Sequence, residues 1–198
     1  MPELLLASSN PGKIKEYRFL LDGVGYQIST LTEQGITEVV TESGNSYEQN
    51  ARLKAIGYAE LSQLATLADD SGLEVDALNG EPGVQSARFA GEAATDAERV
   101  SLLLARLNGV PWERRTAHFK CVIVIASPGG HSEICRGECH GMIAFEAKGE
   151  NGFGYDPVFY LPELGKTMAE LPLEMKNQIS HRARASQKAR QVLQQLHI

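Results

Sequence analysis

No stretch of this sequence stays apolar for anything near the roughly 20 residues that a membrane-spanning helix needs. The N-terminus, Met1-Pro2-Glu3-Leu4-Leu5-Leu6-Ala7, lacks the basic segment of a secretory signal and runs straight into a strand-like pattern. We therefore expect a cytoplasmic protein that does not engage a membrane. Cysteine is scarce: Cys121, Cys135 and Cys139 are an odd count with no CxxC pair, which fits buried thiols in a reducing compartment and not a disulfide framework. Cys135, Cys139 and His140 superficially suggest zinc, but they lie in a strand-like stretch with no second ligand pair following. Basic charge is also short. A formal net charge of -6 argues against a nucleic-acid polymer as the main partner, because phosphate backbones select basic surfaces. It leaves open a single nucleotide held by a few lysines. There is no internal repeat, low-complexity tract or long linker.

What is present is an α/β pattern. An apolar strand over Leu4 to Ser8 precedes Asn10-Pro11-Gly12, where Asn10 suits an N-cap and Pro11 the first helical turn. That helix ends at Gly23, and Tyr26 to Leu31 form a second strand. Ser46 to Leu64 make a long helix. Ala65 to Ala68 form a short strand that stops at Asp69-Asp70-Ser71-Gly72. Thr95 caps a helix to about Leu107. Ala117 to Ser127 are β-prone, Pro128-Gly129-Gly130 signal a turn, and Glu133 to Glu146 return antiparallel. Helices over Leu173 to Asn177 and Arg182 to Gln195 complete the chain. The length fits one domain over residues 1–198, with a mixed β-sheet flanked by helices.

Five segments carry chemistry, each with a plain structural alternative. Gly152-Phe153-Gly154-Tyr155-Asp156-Pro157 offers two glycines for a tight fold, a ring for stacking and a carboxylate, or it is an ordinary turn. Ser8-Ser9-Asn10-Pro11-Gly12-Lys13 sits where a strand meets a helix N-terminus, a natural phosphate site with a lysine added, or it is a capped helix with a surface lysine. It is not a Walker A loop, because the glycine spacing is absent and Ile14 follows the lysine. Asp69-Asp70-Ser71-Gly72 ends a strand, where α/β sheets place ligands; one carboxylate can face Mg²⁺ or water while the other anchors a turn. An Asx-type turn is the alternative. Glu42 is a candidate second metal carboxylate, and Lys54 lies one helical turn from Asn50, although a solvated helix face accounts for both. Lys176-Asn177-Gln178-Ile179-Ser180-His181-Arg182 crowds donors suited to phosphate or to base carbonyls, or Ser180 simply caps the last helix.

Taken in order, Ser-x-Asn-x-x-Lys, Ala-Asp-Asp-Ser-Gly-Leu, Ser-Ala-Arg-Phe-Ala-Gly, Gly-Phe-Gly-Tyr-Asp-Pro and Ser-His-Arg resemble the inosine triphosphate pyrophosphatases, from Ser8 to Arg182. The resemblance implies Mg²⁺-dependent hydrolysis of ITP, dITP and XTP to the monophosphate and pyrophosphate. It also implies an elongated α/β fold with a long mixed sheet, two lobes with a central cleft, and a homodimer. By position, Ser8, Ser9, Asn10, Pro11, Gly12 and Lys13 correspond to the triphosphate loop. Asp70 corresponds to the general base and a metal carboxylate, with Asp69 beside it and Glu42 as the other metal carboxylate. Lys54 and Ser71 fall to the substrate. Phe153 corresponds to the stacking ring, with Gly154, Tyr155, Asp156, Lys176, His181 and Arg182 as nucleotide contacts. One departure stands out: where the family often has Phe-Glu-Glu-Asn-Ala, this chain has Tyr47-Glu48-Gln49-Asn50-Ala51, so Gln49 supplies no charge.

Overall fold

The computed structural model describes residues 1–195. The first strand, β1 (Glu3–Leu6), hands over to α1 (Pro11–Leu20) through Asn10, whose side chain accepts the Lys13 N–H at 3.0 Å. Pro11 occupies the first turn, where its missing N–H costs nothing. Strand β2 (Gln27–Thr30) follows, then α2 (Tyr47–Ser62), capped by Ser46 on the Gln49 N–H at 3.2 Å. Helix α3 (Asp96–Arg106) begins with a reciprocal capping box: Thr95 Oγ1 accepts the Glu98 N–H at 3.2 Å, and Glu98 Oε2 accepts the Thr95 N–H at 2.7 Å.

Strand β3 (Ala65–Val75) corrects the sequence expectation. It does not stop at Asp69 but runs on through Asp70, Ser71 and Gly72. Polar, glycine-bearing composition predicts a turn, yet Leu73 and Val75 are fully buried and keep the segment extended. Long strands β4 (Thr116–Ala126) and β5 (Ser132–Ile143) come next, then the short β6 (Phe159–Leu161) and β7 (Lys166–Thr167). The chain closes with α4 (Leu173–Ile179) and α5 (His181–Gln195). The seven strands form one open mixed sheet in the order β2-β1-β3-β4-β5-β6-β7. Strand β1 pairs parallel with β2 and with β3, with Leu4 opposite Ala65 and Leu6 opposite Leu67. Strand β6 pairs antiparallel with β5 and β7.

The residues divide into two compact units. Among the described residues, the first comprises Met1–Asp70, Cys121–Gly137 and 182–195; the second comprises Ser71–Lys120 and Glu138–His181. The core of the first gathers Leu4, Leu6, Tyr17, Leu67, Ile123, Ile125 and Ala185. That of the second gathers Leu73, Val75, Leu103, Phe119, Ile143, Phe159 and Met168. Each fully buried leucine or isoleucine contributes about 1.5–3 kcal/mol by leaving water. All three cysteines are buried free thiols. Among the described residues, no helix is long and apolar enough to cross a membrane.

Candidate active site

In the first unit a network of charges forms where β1 ends. Beyond Leu6 the chain leaves the sheet, and β3 continues past the last ladder partner, Leu67, into Asp69 and Asp70. Extended backbone sends neighbouring side chains to opposite faces. Asp69 is 1% exposed and meets Lys13 Nζ at 2.9 Å, with Arg182 Nε at 3.8 Å. Burial alone would raise its pKa, but Lys13, Arg182 and Lys54 outweigh that and hold the carboxyl well below the usual range. Asp70 faces elsewhere and accepts the Asn50 side-chain amide at 3.0 Å. Burial raises its pKa, partly offset by Lys54, Lys13 and the Asn50 bond.

Helix α2 supplies Asn50 and, one turn later, Lys54. Asn50 is buried, and its carbonyl oxygen accepts the Gly44 N–H at 2.8 Å, so one side chain ties the segment before α2 to Asp70. A Cβ at Gly44 would come within 2.8 Å of that same oxygen, which explains the glycine. Lys54 pairs with Glu42 at 3.0 Å. Burial would lower the Lys54 pKa, yet Asp69, Glu42 and Asp70 raise it overall. Gln49, the departure noted above, accepts the Asn45 N–H at 2.7 Å and so shapes the approach to α2.

Ser8 and Asn10 fold the loop between β1 and α1: the Asn10 N–H donates to Ser8 Oγ at 3.3 Å, and the helix N-terminus that follows carries Lys13. Ser9, Asn10 and Pro11 are exposed, with Ser8 and Gly12 half-buried. Arg182 is 2% exposed. It donates to Glu16 Oε2 at 2.5 Å and lies over the Tyr17 ring at 5.7 Å. Its pKa would fall with burial, but Glu16, Tyr17 and Asp69 push it well above its ordinary value. Composition and spacing gave no sign of Glu16, which reads as one more charge in α1; its burial is the signal. A separate cavity of about 630 Å³, lined by Glu3, Arg18, Tyr26 and Ser29 among others, contains none of these groups.

The second unit holds the aromatic loop. Asp156 folds back so that its Oδ2 accepts the Phe153 N–H at 2.9 Å, and it is paired with the Lys176 ammonium, both side chains being buried. Lys176 also lies 4.8 Å from the Phe153 ring centroid, a cation–π contact. A Cβ on Gly152 would fall 2.0 Å from Asp156 Oδ2, so the first glycine is required by contact; a Cβ on Gly154 would meet nothing within 4 Å. Tyr155 is buried and its hydroxyl donates to Ser86 O at 2.9 Å. Burial raises the Tyr155 pKa. Ser86, from the Ser-Ala-Arg-Phe-Ala-Gly segment, accepts the Leu73 N–H at 2.9 Å, which links the aromatic loop to β3 beyond the half-buried Ser71. His181 stacks on Phe119 at 4.7 Å with 17° between the rings.

Among the described residues no group of three or more histidine, cysteine or acidic side chains stands together as a metal cage. Mg²⁺ does not need one, since one or two carboxylates plus substrate phosphates suffice. Asp70 and Glu42 offer hard oxygen donors, and Lys54 feels the charge of both. Such a donor set fits a phosphate-bound Mg²⁺.

An open mixed sheet flanked by helices, with lysines, carboxylates and a helix N-terminus gathered at strand ends, places the chain among the α/β proteins. The Ham1 family pattern matches residues 4–192, and the chain belongs to that family. A dITP/XTP pyrophosphatase of Desulforamulus reducens is 52% identical over 197 residues, covering 99% of this chain and 98% of that one. Another, of Geobacillus kaustophilus, is 49% identical over 93% of this chain and 91% of its own. The structure of a HAM1 protein from Coxiella burnetii superposes with a TM-score of 0.89 at 42% identity, covering 98% of this chain and all of that one.

Proposed function

We propose that this chain hydrolyses the non-standard purine triphosphates dITP, XTP and ITP to the monophosphate and pyrophosphate, clearing them from the nucleotide pool of the cytoplasm. The observation that carries the reading is Asp70: a carboxylate anchored by Asn50 at 3.0 Å, with a pKa raised by burial, beside the Lys13 and Lys54 ion pairs. A carboxylate shifted upward is a better general base than a solvated one.

Release of pyrophosphate is drawn as attack by water at the α-phosphorus, with the protein supplying position and charge. Asp70 orients that water and takes its proton. The N–H groups at the start of α1, together with Ser8, Ser9, Asn10, Pro11, Gly12 and Lys13, receive the triphosphate. Lys54 and Ser71 complete the phosphate contacts. Asp70 and Glu42 are the residues that would hold Mg²⁺, which when bound neutralises charge on phosphate oxygens. Asp69 is the third candidate carboxylate; its pairing with Lys13 assigns it first to holding that lysine.

Phe153 stacks on the base, with Gly154, Tyr155 and Asp156 shaping its loop. Lys176 and His181 are the donors that favour a 6-oxo purine over adenine, whose 6-amino group is a donor itself. Leaving a buried donor unpaired costs about 1–3 kcal/mol, so one mismatched contact gives roughly fivefold to a hundredfold. Arg182 supports the nucleotide site through its grip on Asp69 and Glu16. The family resemblance also leads us to propose a homodimer, which sedimentation would measure.

The test is a triphosphate panel in which phosphate and pyrophosphate are distinguished, run with and without a chelator. Pyrophosphate should appear from dITP, XTP and ITP, far less from ATP, and not after chelation. Asp70→Asn should abolish turnover while nucleotide binding survives. Unchanged ITP after long incubation would favour a nucleotide-binding sensor, and near-normal kcat in Asp70→Asn would remove Asp70 as base.

A further inference from the structure

Phe153 is bracketed by two carboxylates. Its own N–H donates to Asp156 Oδ2 at 2.9 Å, and the next N–H, that of Gly154, donates to Asp96 Oδ2 at 2.6 Å. Asp96 lies 58 residues away in sequence, at the first position of α3. It is no idle surface charge, because its other oxygen takes Arg99 Nη1 at 2.6 Å, and Arg99 Nη2 donates to Ala94 O at 2.6 Å. Behind it, α3 is fixed by its capping box and by Val100, Leu103 and Leu107 in the core of the second unit. A Cβ at Gly154 would meet nothing within 4 Å, so no side chain packs against that position. A charge-assisted N–H···carboxylate bond belongs to the strong class. The peptide unit joining Phe153 to Gly154 is therefore oriented from a rigid helix.

We propose that Asp96 is a positioning residue of the base-binding loop. It fixes the orientation of the Phe153 ring, and so the affinity for the purine, without touching the nucleotide. The inference rests on the reading of Phe153 as the stacking ring. Asp156 cannot replace Asp96, since it holds the other side of Phe153 and is committed to Lys176. Without the Asp96 bond, the ring would sample orientations that the base must pay entropy to select.

The experiment compares wild type, Asp96→Ala, Asp96→Asn and Glu98→Ala in steady-state hydrolysis of ITP, with thermal unfolding in parallel. Asp96 is 48% exposed, so its removal leaves the core intact. Glu98→Ala breaks the capping box of the same helix turn without reaching Gly154. Asp96→Ala should raise KM about tenfold with kcat changed less than twofold. Glu98→Ala should lower the Tm at unchanged KM. Asp96→Asn keeps an oxygen acceptor and should recover most of the KM. Equal KM in Asp96→Ala and Glu98→Ala, or no recovery in Asp96→Asn, overturns the assignment. Wild type inert toward ITP would instead overturn the functional reading itself, so the two failures are distinct.

Discussion

Lys13 Nζ and Asp69 Oδ2 stand 2.9 Å apart, with the aspartate side chain 1% exposed and the lysine 16%. A carboxylate this deep is stable only because Lys13, and more distantly Arg182 and Lys54, neutralise it.

Asp69 makes acid stability a direct test of that network. Its folded pKa lies below the ordinary 3.8. A group with a depressed folded pKa binds fewer protons folded than unfolded, so its contribution is present above the unfolded value and lost as pH falls below it. Wild type should therefore begin to lose Tm as pH falls through about 4 and go on losing it down to the depressed folded pKa. Asp69→Asn should be less stable at pH 7, by about 3–5 kcal/mol if Lys13 and Arg182 do not rearrange. Its Tm should also depend less on pH over the same interval. Identical acid profiles would mean that Asp69 does not carry the charge balance of this site.

What could be read in advance follows the range of the interactions. The Asn10 cap and the Thr95 cap lie within three residues of their targets, and both helix starts were legible. The local composition of Asp69 to Gly72 predicts a turn, while the core residues against which Leu73 and Val75 are buried, and which keep it extended, are remote in sequence. The two-residue β7 and three-residue β6 are too short to show alternation. Of the candidate site, the sequence shows residue types in order but not the partners that the fold gives them. Glu16 meets Arg182 across 166 residues, and Asp96 meets Gly154 across 58. No local pattern reports contacts at that separation.

The two glycines around Phe153 should respond differently to the same methyl group. Both have positive φ, 78° at Gly152 and 64° at Gly154, so alanine costs about 1–2 kcal/mol of backbone strain at either. At Gly152 the new Cβ would also fall 2.0 Å from Asp156 Oδ2, forcing that carboxylate off the Phe153 N–H or off Lys176. Gly152→Ala should thus destabilise by several kcal/mol on the order of a broken buried ion pair, and should impair ITP binding severely. Gly154→Ala should show little beyond the strain. Urea denaturation of the two variants, with KM for ITP, checks this; equal losses would contradict the contact at Gly152.

Arg182 offers the sharpest separation of charge from shape. It is among the largest fully buried side chains, and its guanidinium is met by Glu16 at 2.5 Å, by Asp69 at 3.8 Å and by the face of Tyr17. Glu16→Gln removes one countercharge but keeps an oxygen acceptor, leaving Asp69 as the carboxylate facing a buried cation. Arg182→Lys keeps the charge but cannot present the planar fork. If the network works by charge, Arg182→Lys should fold with a moderate loss and Glu16→Gln should lose about 3–5 kcal/mol. If it works by the geometry of the fork, the order reverses. The close Glu16 contact and the Tyr17 ring face near the guanidinium favour the second outcome: Arg182→Lys should be the more damaging, and Glu16→Gln should retain the ordered site. Denaturation midpoints of the two variants, measured at the same pH, decide between them.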